Sequence, residues 1–281
     1  MNRIAPANRH LPTYGAVTYG SVGCMSSSAP VAPATLQPPP VDFDNRDAVY
    51  EYYRTHRPSR LRAQLSHAIL AYRKRPVVGY ADDARESIRA LIRADRRLII
   101  AINHLSVADP RMVAACAWRS VFRPRIGRIR VLAKDELFTD PEQRARIDTM
   151  GAIPVFRGKD HGPRAAYAAG QQLMEVCVQR MVDGDDLALF PEGTCNETDP
   201  TRVQTIGTGI GHIAARARKA GAAPAFVFLG LSYGSGTGAS PRATFHIDRP
   251  LLDYPDRPAQ ITRLIAERMQ RALDGAVAAA R

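Results

Sequence analysis

The chain has 281 residues, 45% of them apolar and 23% charged, an ordinary globular composition long enough for one large domain or two small ones. Lys and Arg number 39 against 27 Asp and Glu, a net charge of +12 that favours an anionic partner: nucleic acid, an acidic membrane or a phosphorylated substrate. Cys24, Cys116, Cys177 and Cys195 form no CxxC pair and no metal-ligand spacing, which points to a reducing compartment without a disulfide framework, and no apolar run reaches the roughly 20 residues of a membrane span.

Residues 1–43 are rich in Pro, Ala, Ser and Gly and have little to bury, so a disordered or loosely attached arm is expected there; no continuous apolar stretch suggests a secretory signal. Residues 44–80 follow as a basic, amphipathic helical segment. Its two predicted helices are "RDAVYEYYRTHR" and "SRLRAQLSHAILAYRKR". In the second, Leu61, Leu65, Ala68, Ile69 and Tyr72 recur at helical spacing among Arg60, Arg62, Arg73, Lys74 and Arg75. Such a helix either packs on its own domain or lies on anionic lipid with its basic stems snorkelling. Peripheral attachment through residues 57–75 is the expectation, at the inner face of the cell membrane of a cytoplasmic protein.

From about residue 96 to the end, strands and helices alternate. The predicted strands are "RLIIAI", "IRVLA", "AIPVF", "LALF", "AFVFLGLSY" and "ATFHI". Between and after them run the helices "PRMVAACAWRSVF", "PEQRARIDTM", "PRAAYAAGQQLMEVCVQRMV", "GIGHIAARARKA" and "ITRLIAERMQRALDGAVAAA". Short apolar strands alternating with helices predict an α/β fold over residues 81–281: a largely parallel or mixed central sheet covered by helices, with the helical segment before it. Strand-end loops are where such a sheet holds its chemistry.

One strand end stands out. In "RRLIIAINHLSVADPRMV" the apolar run stops at Asn103–His104, and Asp109 follows five residues later. Asp before Pro is ordinary helix-start grammar, repeated in "TDPEQ" and "TDPTR", so Asp109 by itself reads as a cap. Five positions on in a helix point about 140° apart, so His104 and Asp109 meet only if His104 ends the strand and "LSVA" turns before the helix. A histidine so placed donates from one ring nitrogen to the carboxylate and keeps the other as a base. No nucleophile elbow is present: Ser106 lacks G-x-S-x-G, and "YGSGTG" reads as a flexible turn. "GTGIGH" lacks the third glycine of a dinucleotide loop.

Two further stretches, "GAIPVFRG" and "LALFPEGTCNE", complete a pattern. "NHLSVAD", "GAIPVFR" and "FPEGT", in that order, resemble the glycerolipid acyltransferase family, the lysophosphatidic acid acyltransferases and their relatives. "AKDELF" is similar to the Lys-containing segment that precedes the second motif, and Pro224 opens a candidate fourth. The resemblance covers about residues 90–250. It implies transfer of a fatty acyl group from acyl-CoA or acyl carrier protein to a hydroxyl of a lysophospholipid or related glycerolipid, with no cofactor besides the acyl donor. His104 would be the general base and Asp109 its orienter. Arg157 would bind an acceptor phosphate, Glu192, Gly193 and Thr194 would position the acceptor, and neighbouring backbone amides would stabilise the oxyanion. The family commonly continues the third motif with Arg–Ser, where this chain has Cys195–Asn196, here taken as lining the pocket. That departure opens a non-phosphorylated alcohol or an amine as acceptor. Expected partners are the acyl donor, a lysolipid and an anionic membrane surface, with no nucleic acid. A basic module binding RNA or membrane without catalysis, and a hydrolase delivering the acyl group to water, are the rival readings.

Overall fold

A computed structural model describes residues 37–234 and 242–281. Residues 1–36, most of the expected arm, and residues 235–241, most of "YGSGTG", lie outside the described residues. The described elements begin with α1 (Arg46–Thr55) and α2 (Arg60–Lys74), then β1 (Val77–Tyr80), α3 (Ala84–Arg93), β2 (Leu98–Ile102) and α4 (Asp109–Arg119). Next come β3 (Ile129–Lys134), α5 (Pro141–Thr149), β4 (Ala152–Val155), the single turn α6 (Gly158–His161) and α7 (Pro163–Val182). The order closes with β5 (Asp186–Leu189), α8 (Gly209–Lys219), β6 (Ala225–Ser232), β7 (Thr244–Ile247) and α9 (Pro258–Ala279).

The strands form a seven-stranded sheet in the order β1-β7-β6-β2-β5-β3-β4. Only the β6–β7 pair is antiparallel, with Leu229 opposite Ile247. The remaining pairs are parallel. The expected α/β architecture with a mostly parallel sheet is therefore present, and the carboxyl ends of β2, β3, β4, β5 and β6 open on one edge. Besides the single turn α6, two elements were not anticipated. β1 is a four-residue edge strand whose register is set by distant partners, Val77 against Thr244 and Tyr80 against Ile247. α3 is short, and only Ala84 and Ile88 are buried from it.

Side chains alternate across the sheet, and both faces are covered, which is why the central strands read as unbroken apolar runs. On one face Ile99, Leu187, Phe226 and Phe228 pack against Tyr50 and Tyr53 of α1, Val176 of α7, Ile213 of α8 and Ile265 of α9. On the other, Leu98, Ile100, Ala188 and Val227 pack against Ile88 of α3, Cys116 of α4, and Phe122. Asp185 joins the elements at the opposite sheet edge: its Oδ2 accepts from Arg130 Nε at 2.7 Å and Arg180 Nε at 2.8 Å, and Arg180 Nη1 donates to the Arg54 carbonyl at 2.9 Å. No helix among the described residues is long and apolar enough to cross a membrane.

α2 packs on its own domain, though not by its apolar stripe. Its small-residue face, Ala63, His67 and Ala71, is the buried one. The stripe of larger apolar residues faces outward, with Leu61 76%, Leu65 61% and Tyr72 74% exposed.

α9 lies against β6 at Gly230, where an added Cβ would overlap the Ala272 carbonyl. Neither backbone can yield without displacing a helix or a central strand, so Gly230→Ala is expected to destabilise the fold by about 3 kcal/mol. Urea denaturation checks this, and an unchanged midpoint would contradict the close approach.

Candidate active site

β2 is tied off at its carboxyl end by Asn103. This buried amide donates to the Leu231 carbonyl at 3.0 Å and accepts from the Leu231 amide at 2.7 Å, which extends the β2–β6 pairing by side chain where the backbone turns away. His104 follows directly. Its Nδ1 lies 2.9 Å from Asp109 Oδ2, and its ring stacks on Phe190 at 4.2 Å between centroids. The expected histidine–carboxylate pair is thus formed across the "LSVA" turn.

Asp109 does not cap α4. No helical amide of α4 reaches its side chain, and the carboxylate turns back instead, with Oδ2 accepting from the amides of Leu105 (2.6 Å) and Ser106 (2.9 Å). The same Asp–Pro dipeptide elsewhere behaves conventionally. Asp140 caps α5 by accepting from Gln143 N at 2.7 Å, and Asp199 closes a turn onto Thr201 N at 2.9 Å. The second oxygen, Asp109 Oδ1, accepts from Tyr233 Oη at 2.5 Å. Burial first, then this charged partner, pushes the Tyr233 phenol well above its ordinary range, so it stays a donor. A wholly buried carboxylate thereby receives four donors. With Nδ1 turned to Asp109, Nε2 is the ring nitrogen left facing the site.

The third motif wraps the same histidine. Phe190 ends β5, and Gly193 N donates back to the Phe190 carbonyl at 3.0 Å, closing a turn in which Gly193 takes a left-handed φ of 71°. Glu192 is spent on backbone: Oε1 accepts from His104 N at 2.7 Å and Oε2 from Gln204 N at 2.9 Å. Asn196 N then donates to the His104 carbonyl at 2.7 Å. His104 is therefore held by both of its peptide groups. Gly193 and Thr194 are exposed on the turn, and Cys195 Sγ sits 3.5 Å from His104 Nε2.

Arg157 stands apart, after β4. The sheet order puts three strand spacings, about 14 Å, between β2 and β4. Its Nε and Nη2 both reach Asp160 Oδ2, at 2.9 and 2.8 Å. Between Arg157 and the dyad, His161 Nε2 meets Asp135 Oδ2 at 2.7 Å, with Phe43 stacked on the His161 ring at 4.7 Å.

Under the sheet face opposite Phe226, an apolar cavity of about 680 Å³ lies between β2, β3, β5 and helices α2, α4 and α5. Ala114, Ala117, Ala133 and Ala188 line it, and their small side chains leave the space. Phe190, whose ring stacks on that of His104, is part of its lining, as are Ile69, Val107 and Leu137, all three exposed to solvent as well. Among the described residues, no three His, Cys, Asp or Glu side chains gather as a metal site would need.

Tyr233 is the member that sequence patterns did not single out, and from them Cys195 reads only as lining the pocket. Tyr233 was hidden in a glycine-rich stretch 124 positions from Asp109, and Cys195 carried the one usable signal, since it replaces the residue that usually follows the third motif.

A buried, donor-saturated carboxylate holds a histidine at a parallel-sheet edge, close to a partly open apolar cavity, an arrangement suited to base-assisted chemistry on an apolar substrate. A model of the Acyltransferase family matches residues 84–228, from α3 to within β6, and the chain belongs to that family, the glycerolipid acyltransferases. A comparison with curated proteins finds no match.

Asp109→Asn places an amide N–H₂ among four donors and releases the His104 ring, so turnover is expected to fall on the order of 10³-fold or more. Tyr233→Phe removes one charge-assisted bond while leaving the ring packed. Steady-state kinetics should show kcat lower by roughly tenfold with the KM for the acyl donor little changed. Equal activity of Tyr233→Phe and the native enzyme would detach Tyr233 from the dyad.

Proposed function

We propose that the enzyme transfers a fatty acyl group from acyl-CoA or acyl carrier protein to a hydroxyl of a lysophospholipid or related glycerolipid at the surface of an anionic membrane. The observation that carries this reading is the His104–Asp109 pair stacked on Phe190, which lines the apolar cavity. An acyl chain lying in that cavity brings its carbonyl carbon to the Phe190–His104 end. His104 Nε2 takes the proton of the attacking group, and Asp109 stabilises the imidazolium that forms. The proton then passes to the leaving sulfur of the donor. Glu192 serves by fixing the His104 peptide, and the exposed turn at Gly193 and Thr194 supports their expected contact with the acceptor.

Two observations favour a second acceptor class, an alcohol or amine without phosphate. Asp160 neutralises the guanidinium of Arg157, and an uncharged thiol stands at Cys195 where the family commonly has Arg. An acceptor phosphate would have to draw Arg157 from its carboxylate partner. Purified protein incubated with palmitoyl-CoA and a panel of lysophosphatidic acid, other lysolipids, simple alcohols and amines separates these cases. Acylated product from one acceptor, lost in His104→Ala, is the expected result and names the class. Equal thiol release by both proteins would remove the dyad from the reaction and bring the non-catalytic binding module forward.

Membrane attachment rests on α2. Leu61, Leu65 and Tyr72 form an exposed apolar stripe flanked by Arg60, Arg62, Arg73 and Lys74, and Ile69 continues it to the cavity mouth. Burial of each large apolar side chain in lipid contributes about 1.5–3 kcal/mol, so Leu61→Asp with Leu65→Asp is expected to weaken binding to anionic vesicles by at least roughly 100-fold. Vesicle flotation measures it, with salt lowering the binding of the native protein. Undiminished flotation of the double variant would sink α2 as the anchor.

Cavity length should set chain preference. Ala117→Leu fills space beside α2, and palmitoyl transfer is expected to fall relative to octanoyl transfer by roughly tenfold or more. An unchanged ratio would place the acyl chain elsewhere.

A further inference from the structure

We propose that Cys195 is a covalent acyl carrier in this reaction: its thiol takes the acyl group from the donor thioester before the acceptor receives it. This rests on the acyl transfer proposed above and adds a second catalytic residue to it. The geometry that points to it is the succession Cys195 Sγ, His104 Nε2, His104 Nδ1, Asp109 Oδ2, with contacts of 3.5 and 2.9 Å on either side of the ring. Nucleophile to base and base to orienter is the arrangement of nucleophilic catalysis by thiols and hydroxyls on unrelated folds.

The thiol is placed there by structure on both sides of it. Glu192, three residues before, binds the His104 amide, and Asn196, the next residue, binds the His104 carbonyl. Asn196 is itself buried, with Nδ2 donating to the carbonyls of Asp199 and Arg202 and Oδ1 accepting from the amides of Thr198 and Asp199. Cys195 is therefore carried on a pinned loop whose reference point is the base. Cys116 and Cys177 are buried in the core with thiols pushed far up by burial, whereas Cys195 is partly exposed.

The sulfur lies 3.5 Å from Nε2, the nitrogen that an acceptor hydroxyl would also use. In a two-step transfer it is the first group to use the base, and the acceptor is the second. Burial, then the carboxylates of Asp109, Glu197 and Glu192, raise the Cys195 thiol above its ordinary value, so it rests protonated and needs His104 at the moment of attack.

The steps balance. In the first, Sγ bonds to the donor carbonyl carbon, the thiol proton passes to His104 Nε2, the carbon–sulfur bond of the donor breaks, and the proton leaves on the donor thiol. One thioester replaces another. In the second, the acceptor hydroxyl gives its proton to the same nitrogen, its oxygen bonds to the carbonyl carbon, the Sγ–carbon bond breaks, and Cys195 regains a proton. Formation of the oxygen ester drives this half downhill.

The test mixes the full chain with palmitoyl-CoA, and separately with palmitoyl-pantetheine to cover the carrier-protein donor, without acceptor, and reads intact mass after rapid acid quench. One palmitoyl group per chain is expected, released by neutral hydroxylamine and mapped to the Cys195 peptide. It should be absent from Cys195→Ala and His104→Ala, and discharged when the acceptor identified by the panel is added. Cys195→Ser should accumulate a hydroxylamine-resistant ester, which shows that the loop still folds around the site. Acyl transfer by the native protein with no adduct, or Cys195→Ala turning over within about threefold of native, overturns the proposal and leaves direct transfer standing. No adduct together with no donor cleavage by the native protein overturns both readings.

Discussion

The carboxylate of Asp109 is wholly buried, and a charge in that position is tolerable only if its oxygens are saturated by donors. The donors come from three places: the amides of the "LSVA" turn, the His104 ring and the Tyr233 hydroxyl after β6. Satisfying the charge therefore shapes the turn between β2 and α4 and fixes the tautomer of His104. The same electrostatic requirement that holds the local structure together holds the base ready. The ordinary cap that Asp–Pro would form is forgone, because these bonds leave the carboxylate turned away from its own helix.

Everything else at the site is arranged around the peptide groups of His104. Glu192 takes its amide, Asn196 its carbonyl, and Asn103 locks the preceding residue to β6. These partners come from β5, the loop after it, and β6, which are neighbours of β2 in the sheet. A parallel arrangement brings all their carboxyl ends to one edge, so chemistry dispersed over 130 residues of sequence converges without any long-range device beyond strand order.

The two faces of the sheet divide the work. The face packed by α1, α7, α8 and α9 is filled with aromatic and branched side chains, and α9 approaches so closely that β6 carries a glycine at the contact. The other face keeps a cavity where alanines replace larger residues. An unfilled apolar space and an exposed leucine stripe on α2 both lower the stability or solubility of the free protein, and the proposed acyl chain and membrane would relieve both. Stability supplied by one face lets the other remain open to substrate.

The alternation of short apolar strands with helices was legible because each strand is buried on both faces, and local composition reports that directly. His104 and Asp109 were legible because five residues separate them, a distance a single turn closes. β1 was not, since four residues carry no period and its register is owed to Thr244 and Ile247 far along the chain. The apolar stripe of α2 was visible in its spacing, yet spacing cannot say whether such a face meets protein or solvent. Asp109 reads as a cap from its dipeptide alone, and Cys195 as a residue lining the pocket. Only the tertiary structure, by setting β5 and β6 on either side of β2, put a thiol at one nitrogen of the histidine and a tyrosine behind its carboxylate. Sequence by itself determined the alternation of buried strands with helices and which residues end strands, because those follow from hydrophobicity and local sterics. Which of them touch was decided by strand order, a property of the whole fold.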